Sequence, residues 1–521
     1  MTIPWLTLAI ALPAVGALIV ALLPRGQGEL AKRVTFGFTL AVLAVVGAMA
    51  LNFQADGPRF QFTETHVWIE RFGVHYAVGV DGIALVLIGL SALLVPLVVL
   101  AAWKEQQGTE DEGKGYFALI LILEAMMIGV FAATDVFLFY VFFEAMLIPV
   151  YFMIGRYGRG EGRRRAAVKF LLYSLLGGLL MLVAVIGVYA LSAQAGNGTF
   201  LWSELVGSDG LLAGIDPATA RWLFLGFFIA FAIKAPMWPV HTWLPTAAQS
   251  SRPGTAVLLV GVLDKVGTYG MLRYCLELFP GAATWFVWPV VVLSLVSIVY
   301  GAVVAIGQSD MLKLIAYTSV SHFGFITLGI FAMTSQAQSG AALYMVNHGF
   351  STGALFLVVG FLIARNNGSA AIADYGGVQK VAPVLAAMFL IAGLSSLALP
   401  GLSPFVSEFL VFVGTYAFNP VPAIIATVGV VLAALYILWM YQRTMTGPVR
   451  EKLAHISDLS LREKFAVGPL IAVIILFGVY PQPLLDVINP AVEGTMQQVG
   501  VSDPAPELGV DQADGQEGAG E

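Results

Sequence analysis

Six ionisable side chains stand where the sequence offers them no water. Glu144, Lys234, Lys265, His322, His348 and Glu408 each lie inside a long apolar stretch. Glu144 sits in VFFEAMLIPVY, about 12 Å into a helix at a rise of about 1.5 Å per residue. By the same measure Lys234 lies about 20 Å, and Lys265 about 16 Å, from a helix end. In a hydrocarbon core about 30 Å thick, these three fall near mid-depth. An ionisable group is costly there, so function is the default reading. The chemistry that suits this set is proton movement. Burial favours neutral Lys and neutral Glu, whereas an opposite charge close by favours the ion pair. A Lys234 paired with Glu144 keeps its proton; drawn away from Glu144 and toward Lys265, it releases that proton. Histidines, which titrate near neutral pH, suit the relay beyond. A structural reading stands beside this one: a single Glu–Lys pair can simply lock two helices, and a lone buried histidine can simply bond a carbonyl. Two Glu, two Lys and two His on six helices favour the functional reading. Glu124 and Asp81 are weaker candidates with local structural roles in view. Asp135 is expected to cap a helix. Asp310 and Lys313 read either as an ion pair or as part of a proton uptake path at the inner end.

The elements that must hold these groups follow from hydropathy. The chain has 521 residues, 59% of them hydrophobic and only 11% charged. A soluble domain carries about twice that charged fraction, so lipid is the solvent for most of the surface. The expected fold class is an all-α polytopic membrane protein. Apolar segments of about 18–25 residues fall near 4–23, 34–53, 78–103, 116–134, 136–154, 167–192, 220–239, 254–278, 283–306, 312–333, 339–364, 382–415, 420–441 and 466–483. That is about fourteen transmembrane helices. The first is expected to be retained as a helix, because it lacks the basic start and cleavage site of a signal peptide. The twelfth is too long for one helix and contains Pro400 and Pro404; the seventh ends in Pro236 and Pro239. Proline removes a donor and frees a carbonyl, which a membrane tolerates only beside protein or a wet cavity. Two broken helices five positions apart imply a repeated unit with its site at the breaks.

Of the 26 Lys and Arg, Arg59, Arg71, Arg221 and Arg273 fall at one end, Lys234 and Lys265 within the spans, and the remaining 20 at the other end. Basic loops stay inside, so both termini are expected on the periplasmic side of a bacterial inner membrane. The outer loop near 54–77 is long enough for a hairpin. Residues 500–521 hold Asp503, Glu507, Asp511, Asp514, Glu517 and Glu521 and no basic residue, which reads as a disordered acidic tail. That tail accounts for the net charge of −6, so no nucleic-acid or other partner is read from it. The single Cys275 excludes an internal disulfide and a Cys-ligated iron–sulfur cluster. No phosphate loop, GxSxG or dinucleotide fingerprint occurs, so any redox cofactor must lie on other chains.

Three long motifs carry a family resemblance. HTWLPTAAQSSRPGTAVLLVGVLDKVGTYGM (241–271), GQSDMLKLIAYTSVSHFGF (307–325) and LALPGLSPFVSEF (397–409) resemble the antiporter-like subunits of respiratory complex I. The likeness runs from the third helix to the thirteenth. It implies fourteen helices with helices 4–8 and 9–13 as inverted repeats, helices 7 and 12 being broken. The chain then divides into N-terminal helices with an outer loop (1–115), a first proton-channel repeat (116–278), a second (279–441), an inner loop with helix 14 (442–499) and the tail (500–521). By the same resemblance Glu144 and Lys234 are the paired switch, Lys265 the central relay, His322 and His348 its continuation and Glu408 the terminal exchange residue. Glutamate rather than lysine at position 408 points to the M-type member. The implied activity is proton translocation within an NADH:quinone oxidoreductase, with FMN, iron–sulfur clusters, NADH and quinone on other subunits. The implied partners are the L-type and N-type subunits on either side and the lipid bilayer. A subunit of a cation/proton antiporter or of an energy-converting hydrogenase is the alternative. Two departures stand out. The family's loop histidine and glutamate are Ala248 and Ser250 here, so no role transfers to that loop. The residue before the relay lysine, usually apolar, is Asp264.

Overall fold

A computed structural model describes residues 3–105, 110–196 and 198–504. Apolar runs cannot leave backbone polar groups unpaired in lipid, so they close their hydrogen bonds as helices. Helices α1 (Trp5–Leu22) and α2 (Gly28–Asn52) lead to an antiparallel hairpin of β1 (Gln61–Ile69) and β2 (Val74–Val80). His66 faces Tyr76 across it, and Gly73, at φ 59, makes the turn. The hairpin expected in the first outer loop is therefore present. Next come α3 (Gly82–Ala102), α4 (Glu110–Ala132), α5 (Val136–Ala145), α6 (Leu147–Gly155), α7 (Arg163–Gln194) and the short α8 (Trp202–Leu205). The first half ends with α9 (Pro217–Lys234), α10 (Trp243–Ser250), α11 (Pro253–Leu258) and α12 (Lys265–Gly270). After α13 (Pro280–Trp285), the second half runs through α14 (Val287–Ile306), α15 (Met311–Phe331), α16 (Ser335–Arg365), α17 (Pro383–Ser396), α18 (Ser403–Phe418) and α19 (Pro420–Met445). The last helices are α20 (Leu461–Val479) and α21 (Gln482–Val499).

Among the described residues, twelve helices are long and apolar enough to cross a membrane, and the bent pair α20–α21 makes a thirteenth. The shorter apolar helices α17 and α18 lie where the broken twelfth span was expected. Helix starts follow local chemistry: Asp81, Asp135, Asp216 and Asp310 each accept a backbone N–H of the helix they precede, the usual N-cap arrangement. Asp135 and Asp310 are thus caps. The Asp310 carboxylate takes the backbone N–H of Lys313 at 3.0 Å rather than its ammonium.

Both expected breaks are present. One span stops at Lys234 and resumes at Trp243; the other stops at Ser396 and resumes at Ser403. Three features differ from expectation. The fifth span is itself interrupted at Met146, one residue past Ala145. The eighth is wound wider in two places, as π turns at Leu259–Leu263 and Met271–Leu276. The last span begins at Leu461 rather than near 466, and α21 leaves it at 72° instead of ending the chain. Proline at 481, just before α21 and with no N–H to continue the α20 ladder, marks the corner. Of the acidic tail only residues 500–504 are described; Asp503 accepts the Ser335 N–H at 2.7 Å, and 505–521 lie outside the described residues.

The apolar windows of α11–α12 and α16 are wholly buried and that of α15 nearly so, whereas α7 and α19 are mostly exposed. Leu172, Leu176, Val183 and Ile186 on α7 are exposed, and the three buried spans carry Lys265, His322 and His348. The hairpin end is tied down by a buried ion cluster. Arg59 binds Glu277, Arg273 binds Asp81, and Thr495 of α21 donates to Glu277 at 2.6 Å. Asp81 thus has the structural role in view for it.

Candidate functional site

Lys265 opens α12 immediately after the first π turn and is fully buried. Its ammonium donates to the Val260 carbonyl, five residues back. The same ammonium lies 2.7 Å from His348 Nδ1 on α16 and 5.1 Å from the centre of the Phe323 ring. The His348 ring stands 5.2 Å from that of His322 on α15, nearly perpendicular to it. Nε2 of His322 lies 3.5 Å from the hydroxyl of Tyr436 on α19. Tyr344, whose ring centre is 6.0 Å from His322, donates its hydroxyl to Glu408 at 2.7 Å. Lys265, His348, His322 and Glu408 are thus brought together, through two tyrosines that the sequence reading missed. Tyr344 lies four residues before His348, on the same helix face, and that spacing was a usable signal. Tyr436 lies on α19 in an otherwise apolar stretch and had none.

The breaks are held open by side chains that take up the freed backbone groups. Asn347 donates to the Ser403 carbonyl at 2.8 Å at the start of α18. At the other break the Trp243 indole donates to the Ile233 carbonyl at 2.8 Å, and the Trp238 N–H donates to Ser297 at 2.9 Å. These bonds pair polar backbone groups at the two breaks away from lipid. His241, in the chain joining α9 to α10, is buried with the Tyr300 ring at 5.1 Å. This titratable group too was missed, although it opens the first motif.

The first half is looser. Lys234 ends α9 and is buried, and its ammonium has no hydrogen-bond partner among the described residues. It lies 4.7 Å from the Phe143 ring centre and 6.0 Å from that of Phe170, positions that stabilise a cation through the ring faces. Glu144, beside Phe143, feels the Lys234 charge. No ion pair joins them, contrary to the direct pairing expected from sequence. The aromatic ring of the neighbouring residue occupies the near side of the ammonium instead. The Glu144 carboxylate is seated against Gly178 of α7, where a Cβ would overlap it. Glu124 on α4 is buried with both oxygens unpartnered. Outside the spans, burial pushes the Glu105 carboxyl up to about 7 against the pull of Arg252, Arg159 and Arg462. Among the described residues no cluster of His, Cys, Asp or Glu is fit to hold a metal ion.

An array of this kind, with acids, amines and imidazoles in buried succession, binds and passes protons. Comparison with known proteins gives the same direction. Residues 133–435 match the family described as NADH:quinone oxidoreductase/Mrp antiporter, TM. The chain is 51% identical to NADH-quinone oxidoreductase subunit M of Mycobacterium tuberculosis (strain H37Rv), over 97% of this chain and 96% of that one. It is 42% identical to subunit M of Rhodobacter capsulatus, over 93% and 95% of the two chains. A chain of respiratory complex I from Thermus thermophilus with bound NADH superposes with a TM-score of 0.85 at 33% identity, covering 95% of this chain and all of that one. A chain of the Mrp complex from Dietzia superposes at 0.83 with 23% identity, a likeness of fold alone. On these grounds the chain belongs to the subunit M family of NADH-quinone oxidoreductase, the antiporter-like membrane subunits of respiratory complex I.

Proposed function

We propose that this chain translocates protons as a membrane subunit of an NADH:quinone oxidoreductase, passing them along Glu144, Lys234, Lys265, His348, His322 and Glu408. The observation that carries the reading is the buried contact series from Lys265 to Glu408. FMN, iron–sulfur clusters, NADH and quinone belong to other subunits of the complex, so the work done here is electrostatic. Lys234 holds a proton while the Glu144 charge is near. When that charge recedes, an ammonium in an aromatic cage loses its compensation, and the proton leaves toward Lys265. Internal water completes the links that side chains do not make directly. Glu408 exchanges the proton at the end of the chain.

We place the two channels in residues 116–278 and 279–441, related as inverted repeats, with L-type and N-type subunits on either side. Both termini lie on the periplasmic side, because the loops at the opposite end hold most of the basic residues. A protease or thiol-label accessibility assay on a Cys-tagged N-terminus in inverted vesicles tests the orientation; labelling of the tag in those vesicles would reverse it.

Two substitutions test the path itself, read as NADH-driven acidification of inverted membrane vesicles. Tyr344→Phe removes a hydrogen bond to a charged group, worth about 1.5–3 kcal/mol. Transfer between His322 and Glu408 is expected to slow by roughly tenfold to a hundredfold. Wild-type pumping in this variant would take Tyr344 out of the path. Gly178→Ala puts a methyl where the Glu144 carboxylate sits. The backbone tolerates it because only the end of a flexible side chain has to move. The complex should assemble, yet pump poorly, since Glu144 is displaced from Lys234; normal pumping would separate the Glu144 seat from function.

A further inference from the structure

We propose that Asp264 is a proton-carrying residue bridging Lys234 and Lys265, the second carboxylate between which the Lys234 proton alternates. This rests on the reading of the two lysines as carriers. Asp264 is completely buried, and neither carboxylate oxygen has a hydrogen-bond partner among the described residues. The geometry of its helix aims it. Its N–H closes the π turn on the Leu259 carbonyl at 3.1 Å. Gly267, one turn further on, packs so closely on the end of α9 that a Cβ would come within 2.7 Å of the Ala235 nitrogen. Residues three apart share a helix face, so the Asp264 face is the one turned to the break after Lys234. Lys265, about 100° around the helix, is turned instead to Val260 and His348. Two cations act on the Asp264 carboxylate, Lys265 and Lys234. Lys234 in turn feels the charge of two carboxylates, Glu144 and Asp264. π turns inside helices recur at functional positions, and this one sets the angle between the acid and the relay lysine.

The step balances in protons and charge. The Lys234 ammonium gives its proton to the Asp264 carboxylate, leaving a neutral amine and a neutral acid. Once Lys265 has passed its own proton to His348, Asp264 protonates the Lys265 amine and regains its charge. Asp264 thereby supplies a titratable stop between two lysines that make no contact with each other.

The test uses the assembled complex carrying Asp264→Asn, Asp264→Glu and, in parallel, Lys234→Ala. Asp264→Asn keeps the size and polarity but not the proton, and pumping is expected to fall by about a hundredfold, a typical cost of removing a proton-transfer group. Asp264→Glu is expected to recover pumping, which a purely structural role would not predict. Infrared difference spectra of the working wild-type complex should show a carboxylic-acid carbonyl band that disappears in Asp264→Asn. Wild-type pumping in Asp264→Asn, alongside a dead Lys234→Ala, overturns the proposal and leaves the lysine path standing. Normal pumping in Lys234→Ala overturns the path on which it rests. Should Asp264→Asn fail to assemble, Asp264→Ser gives the same reading.

Discussion

Replacing Lys234 by Ala is expected to stop proton pumping while the complex still assembles. The ammonium is buried at the end of α9, 4.7 Å from the Phe143 ring centre and within reach of the Glu144 charge, with no hydrogen-bond partner among the described residues. Removing it deletes the group that carries charge across the break and leaves the Glu144 carboxylate without its positive neighbour. Loss of a proton-transfer group typically costs about a hundredfold or more in rate. Folding should survive, because the break is held by the indole of Trp243 and the hydroxyl of Ser297 rather than by Lys234. Native gels report assembly and dye quenching in inverted vesicles reports pumping. A normal proton-to-electron ratio in this variant would remove Lys234 as the switch.

Glu408→Gln should impair pumping nearly as severely. A Gln side chain still accepts the Tyr344 hydroxyl bond and fills the same space after the break, so α18 keeps its packing. What it loses is the ability to bind and release a proton. Losing a proton-transfer group typically costs about a hundredfold or more. The same vesicle assay, read with NADH oxidation, separates the two roles: unchanged pumping would make Glu408 a structural partner of Tyr344 only.

Much of this arrangement was legible without coordinates because membrane insertion is a local property. Each span had to be read only from its own composition, and the cap at Asp135 from its own position. Prolines 236, 239, 400 and 404 announced the two breaks for the same reason: a missing N–H acts on the backbone at its own position. The six ionisable residues were visible because charge in an apolar run is anomalous wherever it lies.

Contacts between side chains were not local and so were not written in spacing. Glu144 and Lys234 come from helices far apart in sequence. Whether they touch depends on how α5 and α9 are rotated and on Phe143, which takes the space beside the ammonium. Tyr436 meets His322 only because α19 packs against α15, across 114 residues of chain. Asp264 was the plainest case. Its identity stood out in the sequence, yet its direction was set by a π turn and by the close seat of Gly267 on α9. Which groups must be buried and where helices must break could be read from the residues alone, since desolvation and proline act residue by residue. The tertiary structure decided which of those groups meet, because helix rotation and packing are settled by the whole bundle at once.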